Sequence, residues 1–494
     1  MSGDMGYLGV IEILTKNTYK SSFWKRKLLL SFGVFMMDIL EITNAVLWGI
    51  PVLLMILAVG IILTVRSRFA QIRMLPIALR NFFSSLKKEN RNKQGISGYK
   101  ALCTALAATV GTGNIAGVAG AIAIGGPGVI FWMWICALLG MITKFAEVTL
   151  ALRYRKKNAA GEYVGGPMYM IRYGLPKKWH FLAGIYAFFG IVAAFGVGNA
   201  TQVNAVVDGI KGIAALRNWE FGIWESLILG VILAALITAA FRKGTEGIGS
   251  WAEKLVPFAS IIYILLAGGV LCLRSSRIST AIWQIIAGAF APKAITCGVV
   301  SSAFLTLRVG ASRGVFTNEA GMGTASIAHA AANAEHPVEQ GLMGVVEVFL
   351  DTIVICTLTA LVILCSGVPI PYGSDPGITL TMDAFSAVYG NWCILLLTAL
   401  VCIFAFATIL GWGLYGAKCA QYLFGEKAWG TFVFAQTGAV ILGVILNTAL
   451  VWLLAEIVNG LMAIPNLAAV LYLSSEFIKL LKEYPQREKA YRLP

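Results

Sequence analysis

The residues with the clearest chemistry lie in a glycine-rich stretch without charged residues, 107–128. Seven glycines fall within eighteen residues and flank Thr112 and Asn114. Glycine weakens a helix by about 1 kcal/mol relative to alanine and permits positive φ, so the stretch predicts an interrupted helix. An interruption frees amide N–H groups, which bind carboxylates, and carbonyl oxygens, which bind cations. We expect the backbone of Thr112, Gly113 and Asn114 to hold a carboxylate, the alternative being a helix kink with a locally bonded Asn114.

The composition is that of a multi-pass membrane protein. Of 494 residues, 58% are hydrophobic and 13% are charged, whereas a soluble domain is nearer a quarter charged. The mean hydropathy is +0.78. The net charge of +15 does not indicate nucleic-acid binding, because the basic residues concentrate in short loops between apolar runs. The nine cysteines form no CxxC pair and the three histidines are scattered, so we expect no redox or zinc site and no bound cofactor.

Apolar runs of about 20 residues recur along the chain and predict eleven membrane helices. Their expected bounds are 45–65, 101–124, 128–152, 181–208, 222–241, 251–273, 298–330, 338–366, 391–417, 431–454 and 457–475. The seventh is too long for one regular span and contains Gly310, Gly314, Gly321 and Gly323, so we expect a second broken helix there.

Lysine and arginine indicate how the spans are oriented. The loops on the side of residues 66–100 carry 26 basic residues and those on the other side carry 5. This bias places the first side in the cytoplasm, the amino end of the first span outside, and residues 476–494 in a basic cytoplasmic tail of a bacterial-type inner-membrane protein. Residues 1–36 break the rule, because they carry five basic residues on the outside. We therefore interpret 1–36 as an atypical extension and place the natural start at Met36 or Met37.

The ten later spans divide into two sets of five, residues 101–273 and 298–475, within one transport domain over 37–475. Each set begins with a glycine-rich broken helix, since GTGNIA at 111–116 is echoed by GMGTAS at 321–326. A repeat of five spans must invert, and inverted repeats around a midplane site are typical of secondary transporters.

Three motifs occur in order and carry a family resemblance. They are GTGNIAGVAGAIAIGGPGVIFWMW (111–134), GEYVGGPMYMI (161–171) and GVFTNEAGMGTASIAHAAA (314–332). They resemble the alanine or glycine:cation symporters, also called sodium:alanine symporters. The resemblance implies an all-α, leucine-transporter-like fold with one extra span before the ten-helix core. It also implies sodium-driven uptake of alanine, glycine or a related small neutral amino acid, and a protein that is not an enzyme.

The second broken helix and the fourth span supply further candidate substrate contacts. Gly321, Gly323 and Thr324 can present carbonyls and a hydroxyl to the substrate ammonium group, although such glycines also simply allow helices to approach closely. Gln202 lies in the polar run GNATQVN. The resemblance implies that Gln202 binds substrate, and an interhelical hydrogen bond is the alternative.

Two residues of the ninth span, Thr408 and Trp412, are four apart and share a helix face. The resemblance implies that Thr408 binds substrate or sodium and that Trp412 lines the pocket for the substrate side chain. From spacing alone, a packed tryptophan beside a threonine bonded to its own helix remains the alternative. Comparison with the leucine-transporter fold implies a sodium site made by the carbonyls of Ala107, Val110 and Ala405 and the hydroxyl of Thr408.

Charged residues inside the spans are candidates for function or for structural pairing. Lys144 and Glu147 are three apart, which predicts a snorkelling ion pair. For the others structural pairing is favoured over inner-gate pairs or a proton relay; they are Arg308, Arg313, Glu319, Glu347 and Asp351.

The expected partners are a small neutral amino acid, Na⁺ as coupling ion and membrane lipid. A proton-coupled symporter of the same fold is the alternative function, with Glu347 or Asp351 carrying the proton. A channel is a weaker alternative, and an enzyme is disfavoured because no HExxH motif is present. The choice between alanine and glycine and the oligomeric state stay open.

Overall fold

The computed structural model describes residues 23–49, 51–86, 95–216, 218–290, 303–446 and 448–491. Within these residues, eight helical segments are long and apolar enough to cross a membrane. One further crossing is a pair of helices bent by 58° at a short break. Because helices satisfy their own backbone groups, repeated apolar helices of this length form a multi-pass membrane protein.

The first span begins earlier than the hydropathy pattern predicts. Helix α1 (Phe23–Gly49) leads to α2 (Pro51–Arg66), and the apolar segment runs over Met36–Arg66. Asp38 and Glu41 conceal its start, because charged residues lower the mean hydropathy. Residues 1–22, most of the predicted N-terminal extension, lie outside the described part of the chain.

The glycine cluster interrupts the next span as predicted. Helix α5 (Gly98–Thr109) ends at the cluster, a 3₁₀ turn covers Thr112–Asn114, and α6 (Ala116–Gly125) continues in a new direction. Two short helices precede this span, α3 (Ala70–Arg73) and α4 (Leu75–Ser85). The interruption predicted from the glycines is confirmed.

The remainder of the first half contains seven helices and a small hairpin. The helices are α7 (Val129–Arg153), α8 (Pro167–Gly174), α9 (Phe181–Phe195), α10 (Thr201–Leu216), α11 (Ile223–Phe241), α12 (Gly244–Leu273) and α13 (Ile278–Phe290). Strands β1 (Lys156–Lys157) and β2 (Tyr163–Val164) pair antiparallel between α7 and α8. A π-helical turn, Gly196–Ala200, joins α9 to α10 within one span.

The second half repeats this alternation of long helices and breaks. Its helices are α14 (Ala303–Asn318), α15 (Ala325–Ala330), α16 (Pro337–Val348), α17 (Thr357–Ser366), α18 (Thr379–Tyr389), α19 (Trp392–Phe424), α20 (Ala428–Gly443), α21 (Thr448–Tyr472) and α22 (Ser474–Tyr491). A π-helical stretch, Phe349–Cys356, joins α16 to α17. Such π-bulges are frequent at functional sites.

A second broken helix lies between α14 and α15, within the expected range 298–330. Residues 319–324 are non-helical, and positive φ angles occur at Glu319, Gly321 and Gly323. Glycine adopts such angles without the steric cost that other residues bear. Both predicted interruptions are therefore present, although residues 298–302 lie outside the described chain.

The bounds predicted for the last two spans are wrong. The chain turns after Gly443 and α21 begins at Thr448, whereas hydropathy predicts one span over 431–454 and another from 457. The turn residues Val444 to Leu446 are as apolar as the helices beside them, so hydropathy gives no signal there. Helices α13 and α18 also occupy segments predicted as loops.

Close helix packing at small residues forms the centre of the bundle. Helix α19 crosses α5 at Gly411, where a Cβ would lie 2.8 Å from the amide nitrogen of Ala108. Gly310 of α14 similarly faces the carbonyl oxygen of Val129. Large apolar side chains remain exposed on other faces, for example Phe258 and Leu265 of α12, as contact with lipid requires.

We call the face that carries the loops 66–100 and 153–166 the basic face. There Ile96 forms a β-bridge with Ala332, and Arg155 reaches the end of α15. On the opposite face the loop 367–378 covers α6, because the amide of Gly373 donates to the carbonyl of Ala123.

Candidate functional site

We call the interruption between α5 and α6, residues 110–115, the first break, and residues 319–324 the second break. The first break leaves backbone groups of α5 without helical partners. The amide of Gly111, which a continuous helix would direct to the carbonyl of Ala107, donates instead to Asn114 Oδ1 at 2.9 Å. The amides of Thr112 and Gly113 likewise make no bond to the α5 carbonyls in this described stretch. The break thus offers both amide donors and carbonyl acceptors in a buried position.

Gln202 of α10 contacts this break directly. The Thr112 hydroxyl donates to Gln202 Oε1 at 2.9 Å, and Gln202 Nε2 donates to the carbonyl of Val197. The π-helical turn before α10 presents that carbonyl. The structure therefore brings two predicted site residues together, in an interhelical hydrogen bond that is compatible with either interpretation of Gln202.

Thr408 of α19 lies against Gly111 on the other side of the break. A Cβ built on Gly111 would lie 2.5 Å from Thr408 Oγ1 and 3.5 Å from Gln202 Oε1. The Thr408 side chain is buried, and among the described residues its hydroxyl has no hydrogen-bond partner. Thr408 therefore does not bond to its own helix, which was the alternative interpretation. Leaving a buried hydroxyl without a partner costs free energy unless a ligand contacts it.

Trp412 lies one turn beyond Thr408 and packs on the π-helical turn. The ring contacts Gly198 so closely that a Cβ there would overlap it, and it lies 5.8 Å from the ring of Tyr415. Only 1% of Trp412 is exposed. The tryptophan therefore fills space beside Gln202 and Thr408. The other residue of the predicted sodium set on this helix, Ala405, is fully buried one turn before Thr408.

The candidate residues of the second break lie in a separate polar cluster. The amide of Gly321 donates to Glu147 Oε1 at 2.9 Å, and Asn466 donates to the same carboxylate and to the Gly321 carbonyl. The Thr324 hydroxyl donates to Glu319 Oε2. The groups expected to meet a substrate ammonium are therefore already bonded inside the protein.

The carbonyl of Gly323 is engaged in the same way, because it accepts from the Ser326 hydroxyl. Asn466 and Pro167 fill the space beside the α-carbon of Gly323. This glycine is thus needed for close approach as well as for its positive φ.

The two breaks meet through Phe316 and Thr317, which the sequence analysis did not identify, and through Asn114 and Asp351, which it did. A Cβ on Gly113 would lie 3.5 Å from the ring of Phe316 and 3.7 Å from Thr317. Asn114 Nδ2 donates to Asp351 Oδ1 at 2.6 Å. Asp351 was identifiable as a charge within an apolar span, but no local pattern marks Phe316 or Thr317.

The predicted ion pair of Lys144 with Glu147 is wrong. Lys144 Nζ lies 3.2 Å from Glu347 Oε1, and both side chains are 0% exposed, so neither snorkels. His329 Nε2 lies 3.1 Å from the other Glu347 oxygen. Helix α16 approaches α7 closely at Gly344, where a Cβ would lie 3.0 Å from Lys144 Cγ, and this contact brings the distant glutamate within reach.

A cavity of about 500 Å³ opens above the first break toward the opposite face. Its lining includes Ala116, Gly117, Ala205, Arg313, Asp375 and Glu456. Arg313 pairs with Glu456 at 3.2 Å and with Asp375 at 3.7 Å, so this partly exposed arginine lies on the face opposite the basic face. The cavity reaches α6 two residues beyond Asn114.

On the basic face the Arg155 side chain caps the carboxyl end of α15. Its guanidinium donates to the carbonyls of Ala330, Ala332 and Ala334, and it stacks 3.9 Å from the centre of the Tyr163 ring in β2. Terminal helix carbonyls lack intrahelical donors, and a planar cation with several N–H groups satisfies them well.

We expect Arg155→Met to loosen this closure. Losing charged hydrogen bonds worth about 1.5–3 kcal/mol each should speed amide exchange at residues 327–336 at least about tenfold. Hydrogen–deuterium exchange with mass spectrometry would measure it. The control is Arg153→Met, which removes a half-exposed contact with Glu476. Unchanged exchange at 327–336 in Arg155→Met would show that Arg155 does not hold this end.

Comparison with known proteins places this geometry in context. The model of the sodium:alanine symporter family matches residues 34–494. The chain is 41% identical over 458 residues to an uncharacterized transporter of Haemophilus influenzae, covering 92% of this chain and 97% of that one. It is also 41% identical to the sodium/alanine symporter AgcS of Methanococcus maripaludis, covering 92% and 99%. A probable sodium/glutamine symporter of Bacillus subtilis, GlnT, is 37% identical, covering 92% of each.

Solved structures share the fold at low sequence identity. MhsT in complex with L-phenylalanine superposes with a TM-score of 0.53 at 14% identity, covering 79% of this chain and 99% of that chain. MHP1, a nucleobase-cation-symport-1 family transporter, superposes with a TM-score of 0.50 at 11% identity, covering 79% and 94%. The fold is leucine-transporter-like, with two broken helices. With the family model matched over nearly the whole chain, the protein belongs to the sodium:alanine symporter family and is a transporter, not an enzyme.

Proposed function

We propose that this protein imports alanine or glycine together with Na⁺ by alternating access. The observation that carries the proposal is the unpartnered, buried Thr408 hydroxyl beside the open backbone of the first break. The family relationship supports amino-acid and cation symport, and the relative named AgcS is a sodium/alanine symporter.

In this proposal the zwitterion binds at the first break. The amides of Thr112, Gly113 and Asn114 hold the carboxylate at the amino end of α6, where the helix dipole favours negative charge. Gln202 contacts the substrate from α10. The Gly321 carbonyl and the Thr324 hydroxyl take the ammonium group after exchanging their present bonds with Asn466 and Glu319 for bonds to substrate.

The coupling ion binds beside the carboxylate. Na⁺ prefers hard oxygen ligands, which the carbonyls of Ala107, Val110 and Ala405 and the Thr408 hydroxyl provide. Because the same broken backbone serves both sites, each ligand orders the site of the other, and this mutual dependence is a coupling free energy.

Trp412 limits the size of the substrate. Its ring packs on Gly198, and in this proposal it restricts the substrate side chain to a methyl group or a hydrogen atom. The name of the relative GlnT refers to glutamine, so substrate size varies within the family.

The basic face lies in the cytoplasm in this proposal, as the distribution of lysine and arginine predicts. The cavity at the opposite face then admits substrate from outside, while Arg155 closes the cytoplasmic side. We place the protein in an inner membrane of bacterial type.

The test is uptake of labelled L-alanine into proteoliposomes with an inward sodium gradient, an inward proton gradient, or neither. We expect the sodium gradient alone to drive accumulation. Asn114→Ala and Thr408→Ala should each reduce initial uptake about tenfold or more. Thr408→Ala removes a ligand hydroxyl, and Asn114→Ala removes the side chain that holds the Gly111 amide and bonds to Asp351. A hydrogen bond to a charged group is worth about 1.5–3 kcal/mol.

Thr398→Ala is the matched control. Thr398 is also a buried threonine of α19, but its hydroxyl donates to the carbonyl of Gly209, about 15 Å along the helix from Thr408. Uptake driven only by protons would replace sodium with the proton-coupled alternative. No uptake under any gradient would refute alanine as substrate, and currents far above carrier rates would indicate a channel.

A further inference from the structure

The first span, α1 with α2, precedes the two sets of five spans and supplies no residue to the proposed alanine and sodium sites. Its first helix nevertheless packs closely on α21. Gly460 of α21 permits this contact, because a Cβ there would lie 2.6 Å from Leu47 Cδ2 and 3.3 Å from Trp48 Nε1. Small residues let membrane helices approach one another in this way. The first span is therefore fixed to the bundle at a defined point of α21.

Two hydrogen bonds from α1 reach a single residue of α21, Glu456. Asn44 Nδ2 donates to Glu456 Oε2 at 2.7 Å, and Trp48 Nε1 donates to the carbonyl of Glu456 at 2.9 Å. Asn44 and Trp48 are four residues apart, so they lie on the same face of α1. That face of α1 therefore binds both the side chain and the backbone of Glu456.

The second carboxylate oxygen of Glu456 pairs with an arginine. Glu456 Oε1 lies 3.2 Å from Arg313 Nη1, and Arg313 Nη2 lies 3.7 Å from Asp375 Oδ2. The Arg313 guanidinium also lies over the ring of Trp452, with Cζ 5.3 Å from the ring centre. All four residues line the cavity at the face opposite the basic face. Glu456 thus joins the first span to a group of paired charges in the cavity wall.

These paired charges connect the helices that carry both breaks. Arg313 belongs to α14, which ends at the second break. Asp375 lies against α6, which follows the first break, because a Cβ on Gly120 would lie 2.6 Å from Asp375 Oδ1. The pairs of Arg313 with Glu456 and with Asp375 therefore hold α14 and α6 to α21.

The pair between Arg313 and Glu456 depends on how well its side chains are ordered. Partly exposed ion pairs contribute little by themselves, because ordering two long side chains costs conformational entropy. The Glu456 side chain is 15% exposed, but Asn44 already holds one of its oxygens. An ionised carboxylate only accepts hydrogen bonds, so the NH₂ group of Asn44 is the end that faces it. Asn44 thus fixes the Glu456 rotamer in which the pair with Arg313 forms.

We propose that α1 positions Glu456 for its pair with Arg313, and that the first span thereby controls closure of the cavity. Asn44 and Trp48 are positioning residues, since they contact neither proposed ligand and act through Glu456. When the pair forms, α14 and α21 are held together at the cavity; when it breaks, the cavity opens more widely to solvent. This role rests on the proposed import from this face, but access to the cavity is measurable without any amino acid.

The test measures how readily a thiol reagent enters the cavity. Ala205 lines the cavity from α10, and in Ala205→Cys a membrane-impermeant maleimide applied to intact cells reports access to it. The exposed native Cys272 is replaced by serine throughout, and the same protein without Ala205→Cys gives the background. We expect Asn44→Ala to raise the labelling rate about threefold or more, because the pair between Arg313 and Glu456 is weakened.

Trp48→Phe is the milder second variant, because it keeps an aromatic ring and removes only the N–H donor. It should also raise the labelling rate, and it keeps the proposal testable if Asn44→Ala does not fold. Thr43→Ala is the matched control, because this exposed residue of α1 donates to the carbonyl of Ile39 in its own helix. Its labelling rate should match that of the parent protein. Unchanged labelling in both Asn44→Ala and Trp48→Phe would overturn the proposal.

A double variant shows whether Asn44 acts through Glu456. Glu456→Ala should itself raise the labelling rate, and adding Asn44→Ala should change the rate no further, since effects within one network are not additive. A further increase by the factor seen in Asn44→Ala alone would overturn the positioning role.

Two other outcomes concern the proposed function and not the role of α1. Labelling of Ala205→Cys only after the cells are permeabilised would refute the outward orientation of the cavity, while the ranking of the variants would still decide the role of Asn44. Failure of alanine uptake would refute the substrate and leave the labelling rates standing.

Discussion

A single methyl group at Gly111 should abolish transport. In Gly111→Ala the new Cβ would lie 2.5 Å from Thr408 Oγ1, closer than atoms can approach without displacement. The φ of Gly111 is −142°, which alanine also adopts, so the effect comes from space and not from backbone strain. Displacing Thr408 from the break removes the hydroxyl from both proposed ligands. We expect initial alanine uptake in proteoliposomes to fall below detection.

The double variant Gly111→Ala/Thr408→Ala separates folding from function. Removing the hydroxyl relieves the contact, and overpacking costs about 1–3 kcal/mol, so the melting temperature should return toward that of Thr408→Ala. Uptake should rise no higher than in Thr408→Ala, because the hydroxyl is missing. Gly268→Ala in α12, where a Cβ meets nothing within 4 Å, is the control for glycine replacement. Full uptake in Gly111→Ala would show that Thr408 does not need its present position.

Removing the buried amine of Lys144 should have the largest effect on stability. Lys144→Met keeps the volume of the side chain but leaves the fully buried carboxylate of Glu347 with His329 as its one remaining partner among the described residues. Breaking one partner of a buried ion pair costs about 3–5 kcal/mol, because the remaining charge is uncompensated. We expect a strongly lowered melting temperature in detergent, or failure to accumulate in the membrane.

The partner substitution should reverse most of this loss. Lys144→Met/Glu347→Gln removes both charges, and replacing a buried pair with neutral groups is often close to neutral for stability. Lys100→Met is the control, because its 3.8 Å contact with Glu253 is partly exposed and worth about 0–1 kcal/mol. If the double variant were no more stable than Lys144→Met, the cost would lie in packing against Gly344 and not in the charge of Glu347.

The sequence was most informative where the determinant is local. Glycine clusters at 111–113 and 321–323 predict breaks because the cost of helix and the freedom of positive φ belong to the residues themselves. Hydropathy likewise locates most spans, since lipid contact depends on composition. It misplaces the last two spans because the turn at Val444 to Leu446 is as apolar as a helix.

The composition of the site was partly accessible from the family resemblance and its motifs. Thr112, Gln202 and Thr408 do converge on the first break, although no spacing in the sequence states that Gln202 would meet Thr112. The same motifs did not reveal that Gly321 and Thr324 bond to buried carboxylates in this state. Their roles toward substrate stay predictions.

The pairing of the buried charges was decided only by tertiary structure. The short separation in sequence predicts a pair between Lys144 and Glu147. The Lys144 amine instead contacts Glu347, about 200 residues away, because Gly344 lets α16 approach α7. In the same way Asp351 faces Asn114 across 237 residues. By itself the sequence determined where helices form and where they break, because those energies are local. Which polar groups then meet depends on how the helices pack, and that is a property of the whole bundle.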